Sequence, residues 1–244
     1  MVDAVIINFK RPRNVEKIIE ALLAQTVKCR IIIYDYFKST ENRLNPEILE
    51  KVDIVFSSNV NLGGFNRYIP MGFYTSPYTF FIDDDVLPGT KCIESFLEAA
   101  EKLPNFGVLG QVGRVLSSDD LYRPKDVSSS ADFREVDFIV RAYFVKTRYL
   151  FNVLKYKWLL GYHETKLIED DLLLCCALKH YENLPCYLIP FDGDRERLIN
   201  KEELSNLHSL SSRRDHYALR SFFIKRVMIY GWNPIHRRRT LDET

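Results

Sequence analysis

Asp83, Asp84 and Asp85 stand side by side directly after the apolar run Phe80-Phe81-Ile82. Carboxylates crowded in this way repel one another unless a cation neutralises them. Hard divalent ions take oxygen ligands and keep positions for water or phosphate, so an Asp pair here suits Mg²⁺ or Mn²⁺ held against a diphosphate. An exposed acidic turn is the plainer alternative. A second acidic run, Glu169-Asp170-Asp171, stands just ahead of an apolar stretch. Acids at a helix start are favoured by the helix dipole, so capping alone would account for it. Arg213 and Arg214 closely follow His208, and their guanidinium groups suit phosphate oxygens. The cysteines, Cys29, Cys92, Cys175, Cys176 and Cys186, are odd in number, scattered and without a Cys-x-x-Cys pair. That pattern argues against a disulfide framework or structural zinc site and predicts a reduced, cytosolic protein.

These residues need elements to position them. Residues 4–9 form a short apolar run that reads as a buried parallel strand. Residues 30–35 and 53–59 read as a second and a third strand, and 77–82 as a fourth that delivers the acidic triplet. Asn14 is placed to cap a helix with Val15, Ile18, Ile19 and Leu22 along one face. Thr90 is placed to cap another, with Ile93, Phe96, Leu97 and Ala100 inward. Strands alternating with helices predict an α/β fold, a mostly parallel central sheet flanked by helices with right-handed crossovers. In such sheets ligands bind beyond the carboxyl ends of the strands, where the triplet falls.

The second half is less regular. Residues 117–132, rich in Ser and Asp, read as a mobile loop. Residues 135–145 read as one long strand, 146–154 as the start of a helix, 158–169 as a loop and 170–181 as a helix. A short strand within 183–191 and a helix over 215–230 complete the chain. The 158–169 loop holds Trp158, Tyr162 and His163, whose flat faces suit stacking on a ring of the ligand. With no clean linker, residues 1–244 read as one domain of two functional halves, 1–115 and 116–244.

Composition narrows the class. With 244 residues, 46% hydrophobic and 27% charged, the chain is neither disordered nor fibrous. No apolar run reaches the roughly 20 residues that span a bilayer, and the first residues lack the pattern of a secretory signal. Lys+Arg at 34 against Asp+Glu at 33 argues against a dedicated nucleic-acid binder. Charge is uneven, however: residues 195–239 hold eleven Lys or Arg against four Asp or Glu. A basic C-terminal surface follows, either a solvated face or a peripheral contact with anionic partners.

A strand ending in Asp-x-Asp within a Rossmann-like half resembles the GT-A glycosyltransferases, and is most similar to the large inverting nucleotide-sugar family that includes rhamnosyltransferases. The resemblance covers most of the chain. Asn8 to Pro12, with Arg11, resembles the family's first loop, which embraces the nucleotide base. Asp35 matches an acid that contacts base or ribose. The Asn61-Leu62-Gly63-Gly64 segment, with Arg67 beyond it, resembles the family's Asn-x-Gly stretch, where glycine lets the backbone approach the nucleotide and Arg67 would meet phosphate or ribose. The resemblance implies Asp83 and Asp84 on the nucleotide side, Asp83 and Asp85 at the metal, and His208 completing the metal site or touching the diphosphate. It aligns Glu169-Asp170 on the family's Glu-Asp pair, making Asp170 the general base. Three acids in a row leave Asp171 as the other register.

The implied activity is transfer of a hexosyl or pentosyl group from a nucleotide-sugar, UDP-sugar first, to a glycan or other hydroxyl acceptor, with Mn²⁺ or Mg²⁺ as cofactor and inversion at the anomeric carbon. A retaining enzyme of the same fold is the alternative. A non-catalytic module that binds nucleotide or an anionic surface is another, with residues 232–239 as its anchor. A nucleotidyltransferase is disfavoured because residues 9–12 lack the glycines of its phosphate loop.

Overall fold

The computed structural model describes residues 1–36, 43–117, 122, 124–162, 169–205 and 212–237, Glu203 by its backbone alone. Its strands and helices run β1 (Val2–Asn8), α1 (Pro12–Leu23), β2 (Cys29–Tyr36), α2 (Pro46–Leu49), β3 (Ile54–Ser58), β4 (Tyr78–Ile82), β5 (Val86–Leu87), α3 (Cys92–Lys102), β6 (Val108–Gly110) and β7 (Val112–Leu116). They continue with β8 (Pro124–Ser128), β9 (Arg134–Val136), β10 (Phe138–Ile139), β11 (Ala142–Lys146), α4 (Phe151–Leu159), α5 (Asp170–Glu182), β12 (Cys186–Leu188), β13 (Glu202–Glu203) and α6 (His216–Ile229).

Eight strands form the central sheet in the order β3-β2-β1-β4-β11-β6-β12-β9. The four strands from β3 to β4 are parallel, as expected. Beyond them β11 runs antiparallel to both β4 and β6, so the second half of the sheet is mixed. β1, β2 and β4 are mostly apolar because both faces of that part of the sheet are covered, while the edge strand β3 is only half-buried. Successive side chains alternate: Ala4, Ile6, Phe80 and Ile82 join the core under α1 and α3. Val5, Ile32, Phe81 and Tyr143 join the core under α4, α5 and α6.

Both expected caps are corrected. α1 starts at Pro12, with Arg11 at the N-cap, because proline's fixed φ suits the first helical position. Asn14 lies inside the first turn, buried, and its amide donates to the Asp84 and Ser205 carbonyls (3.0 and 2.8 Å). α3 is preceded by Lys91, while Thr90 bonds Glu196 through its amide and hydroxyl.

The expected long strand over 135–145 is three short ones. Buried Asp137 interrupts it by accepting from the Leu116 and Ile235 amides, both at 2.8 Å. Arg141 breaks it again at φ +73°. Residues 117–132 are not simply a loop, since β8 pairs antiparallel with β7. The helix expected to start near 146 is α4, which runs on to Leu159 and takes Trp158 out of the expected loop. A 3₁₀ segment, Gly64–Phe73, lies between β3 and β4 where only a glycine turn was expected. All five cysteines are free thiols. No helix among the described residues is long and apolar enough to cross a membrane.

Candidate active site

Three neighbouring parallel strands bring their carboxyl ends together. β1 ends at Asn8, β2 at Asp35 just before its last residue, and β4 leads into Asp83. The Asn8 amide donates to the Asp35 carboxylate at 2.7 Å, and both residues are buried. Burial raises the Asp35 pKa, the Asn8 hydrogen bond and the charge of Arg43 opposing it.

The acidic triplet is divided between two arginines. Arg11, at the start of α1, contacts Asp84 at 3.0 Å and Asp85 at 2.9 Å. Burial drives the Asp84 carboxyl up to about 7, Arg11 pulling it down and Asp83 and Asp85 adding to the rise. Arg67, in the 3₁₀ segment, meets Asp83 at 2.8 Å on one side and Asp170 at 2.9 Å on the other. Its guanidinium also lies 5.0 Å from the centre of the Tyr143 ring, whose hydroxyl is 3.4 Å from Asp83. Burial opposes the charge on Arg67, but Asp170, Tyr143 and Asp83 outweigh it and keep it protonated. Arg67 was expected at a phosphate or ribose; here it joins the strand-end acid to the helix-start acid.

Asp170 opens α5 and is buried. Burial raises its pKa; Arg67 pulls the other way, and the like charges of Asp171 and Asp83 add to the rise. Its backbone carbonyl accepts from the buried Tyr68 hydroxyl at 3.1 Å. Its carboxylate lies against Gly64: a Cβ built there would sit 1.9 Å from Asp170 Oδ1. That glycine is therefore required by a neighbouring carboxylate. Gly63, before it, has φ +72° and donates its amide to Asn61 Oδ1 at 2.8 Å, so Asn61 and Gly63 shape the turn.

Asp171 has other partners. Arg220 of α6 donates from one nitrogen to both of its oxygens (2.7 and 2.9 Å) and from another to the Tyr122 hydroxyl (2.9 Å). Burial opposes the Arg220 charge, and Asp171 and Tyr122 outweigh it. The structure thus brings Asn8 to Asp35, Arg11 to Asp84 and Asp85, and Arg67 to Asp83 and Asp170, while it turns Asp171 towards α6. Arg213 is occupied by exposed Asp215 at 2.6 Å. His208 and His163 lie outside the described residues. Tyr143, Tyr68, Tyr122 and Arg220 escaped sequence reasoning; only the doubled glycine signalled the close approach at Asp170.

Among the described residues no three His, Cys, Asp or Glu side chains gather as a metal-ligand set. Asp83 and Asp85 keep side-chain exposures of 30% and 24%, higher than that of Asp84. Two partly exposed carboxylates are a hard-oxygen pair of the kind Mg²⁺ or Mn²⁺ takes, although each is also paired with an arginine, Asp83 with Arg67 and Asp85 with Arg11.

No curated protein sequence matches this chain. The fold is similar to a crystal structure of S. aureus TarS, at 13% identity and a TM-score of 0.52, over 78% of this chain and 36% of that one. It is also similar to S. aureus TarS 1-349, at 13% identity and a TM-score of 0.50, over 78% of this chain and 60% of that one. The chain therefore spans between about a third and three fifths of the lengths of those structures. The model of Glycosyl transferase family 2 matches residues 3–173, 171 of the 244 residues, from β1 into the first turn of α5. With a GT-A sheet, acids at its strand ends and that match over more than two thirds of its length, the chain belongs to glycosyl transferase family 2.

Proposed function

We propose that the chain transfers a sugar from a UDP-sugar to a hydroxyl acceptor, with inversion and with Asp170 as the general base. The observation that carries this reading is the Asp83–Arg67–Asp170 bridge, which ties the phosphate-end acid to a buried carboxylate on α5 through one side chain. Asn8 and Asp35 are the proposed base and ribose contacts; the Asp35 carboxylate accepts a donor such as the uracil N–H or a ribose hydroxyl. Arg11 and Arg67 neutralise the triplet before the donor arrives and are the proposed partners of its phosphates. Asp83 and Asp85 would hold Mn²⁺ or Mg²⁺. When bound, the ion would supply charge neutralisation to the departing diphosphate.

Asp170 then takes the proton from the acceptor hydroxyl as its oxygen attacks the anomeric carbon. Its raised pKa suits that role, because a base works best when its pKa lies near the working pH. The paired Asp171 is a poor second candidate, since Arg220 holds both of its oxygens. Residues 1–115 are proposed as the nucleotide-sugar half and 116–244 as the acceptor half, with the cytosol as the location.

Calorimetric titration with UDP, GDP and dTDP, each with Mn²⁺ and with chelator, tests the donor side. UDP with Mn²⁺ is expected to bind tightest, and Asp85→Asn to weaken it. Equal UDP affinity in chelator would remove the metal from the account, and a preference for GDP or dTDP would remove UDP.

A further inference from the structure

α6 is apolar on both of its faces. Inward, Phe223, Ile224 and Val227 are buried in the core. Outward, Phe222 is 57% exposed, Ile229 82% and Leu219 38%. Large apolar side chains exposed together on one helix face mark a contact surface.

The spacing places these outward residues together. Leu219 is three residues before Phe222, and Ile229 seven after it, two turns along the same face. Lys225 and Arg226 fall between them at three and four residues from Phe222. The chain leaving the last turn of α4 meets this face: Arg226 lies 5.3 Å from the centre of the Tyr162 ring, and a Cβ at Gly161 would sit 2.8 Å from its guanidinium. Trp158, in that turn, is 61% exposed.

Charge selects the occupant. Residues 147–162 and 212–237 contain nine Lys or Arg and a single acid, Asp215. Two of the nine, Lys157 and Arg220, are buried, and Asp215 is paired with Arg213. A second copy would set Lys225 and Arg226 of this face against their own counterparts. An anionic bilayer complements it: apolar side chains enter the acyl boundary, lysine and arginine meet the headgroups, and tryptophan sits at the interface.

We propose that the outward face of α6, with the last turn of α4, docks on an anionic lipid surface. The opposite face of α6 carries Arg220, which holds Asp171 beside Asp170, so the docked face and the candidate active site lie on opposite sides of one helix.

The test is sedimentation of the 244-residue chain with vesicles of phosphatidylcholine alone and of phosphatidylcholine with phosphatidylglycerol. Binding is expected only with phosphatidylglycerol and is expected to weaken as salt is raised. Phe222→Glu with Ile229→Glu should lower it on the order of tenfold or more. The melting temperature should hold, because both side chains are exposed in the folded chain. Lys225→Glu should weaken it less. No binding to the mixed vesicles, or unchanged binding by the double variant, would overturn the proposal. So would a dimer in analytical ultracentrifugation that the double variant dissociates, since a second copy would then own the face.

Discussion

Asp170 and Asp171 are neighbours in the chain and equally buried, yet their partners divide their roles. Asp171 is spent on Arg220 in a pair with side-chain exposures of 5% and 9%. Asp171→Asn leaves that guanidinium without its counter-charge, and losing one member of a buried pair costs about 3–5 kcal/mol. A marked fall in melting temperature is expected; an unchanged one would show that Asp171 carries no structural charge. Gly64 reports on Asp170 without altering it. Gly64→Ala puts a methyl into the space of the carboxylate, which must move. Misplacement of a reacting group by about 1 Å costs on the order of 10² in rate, so turnover should fall about that far while UDP still binds. Full activity in Gly64→Ala would mean the carboxylate does not act from this position. pH gives a third handle. Asp170 accepts a proton only when ionised, and burial raises its pKa above the ordinary carboxylate value of about 4. Activity is therefore present above the raised value and lost as pH falls through it. A turnover profile with its acid limb near the ordinary carboxylate range would contradict this. The acidic runs were legible in the sequence because three carboxylates after an apolar strand are conspicuous. Their arginine partners were not, because Arg67 is 16 residues from Asp83 and 103 from Asp170 in the chain, and local spacing carries no record of such contacts.

Among the elements, β1, β2 and β4 were readable because strands covered on both faces are mostly apolar, and β3 because its short apolar run Ile54-Val55-Phe56 is bounded by polar residues. α5 and α6 were readable from their length. β8 was not, since of its five residues only Val127 is buried and no alternation survives. The break between β10 and β11 was hidden for another reason: Arg141 adopts φ +73°, a conformation no side-chain pattern announces. This kink has a task, because the Arg141 carbonyl accepts the Asp83 amide at 2.9 Å and so fixes the start of the acidic triplet. Glycine tolerates that backbone and a β-branched residue does not. Arg141→Ile is expected to be less stable than Arg141→Gly by about 1–2 kcal/mol, measured by urea denaturation. Equal stability of the two variants would show that the turn relaxes without cost.

Across the whole molecule the two halves meet at one sheet: β11 joins β4 to β6, and Arg67 joins the acids at the end of β4 to α5. The sheet side of the site was foreseeable, because the strand ends of an α/β fold are where ligands collect. The helix side depended on which of two adjacent buried acids faces the strand ends, and that follows from long-range packing of α5 against the Gly64–Phe73 segment and α6. Removal of the acceptor proton by Asp170 in a UDP-sugar transferase is read out by UDP release from a panel of UDP-sugars, with water or added hydroxyl compounds as acceptor, comparing the native chain with Asp170→Asn. A positioned base contributes about 10²–10⁴ in rate, so the variant should bind UDP as well as the native chain and release it from the donor slower by that factor. Asp170→Asn releasing UDP at the native rate would contradict the account.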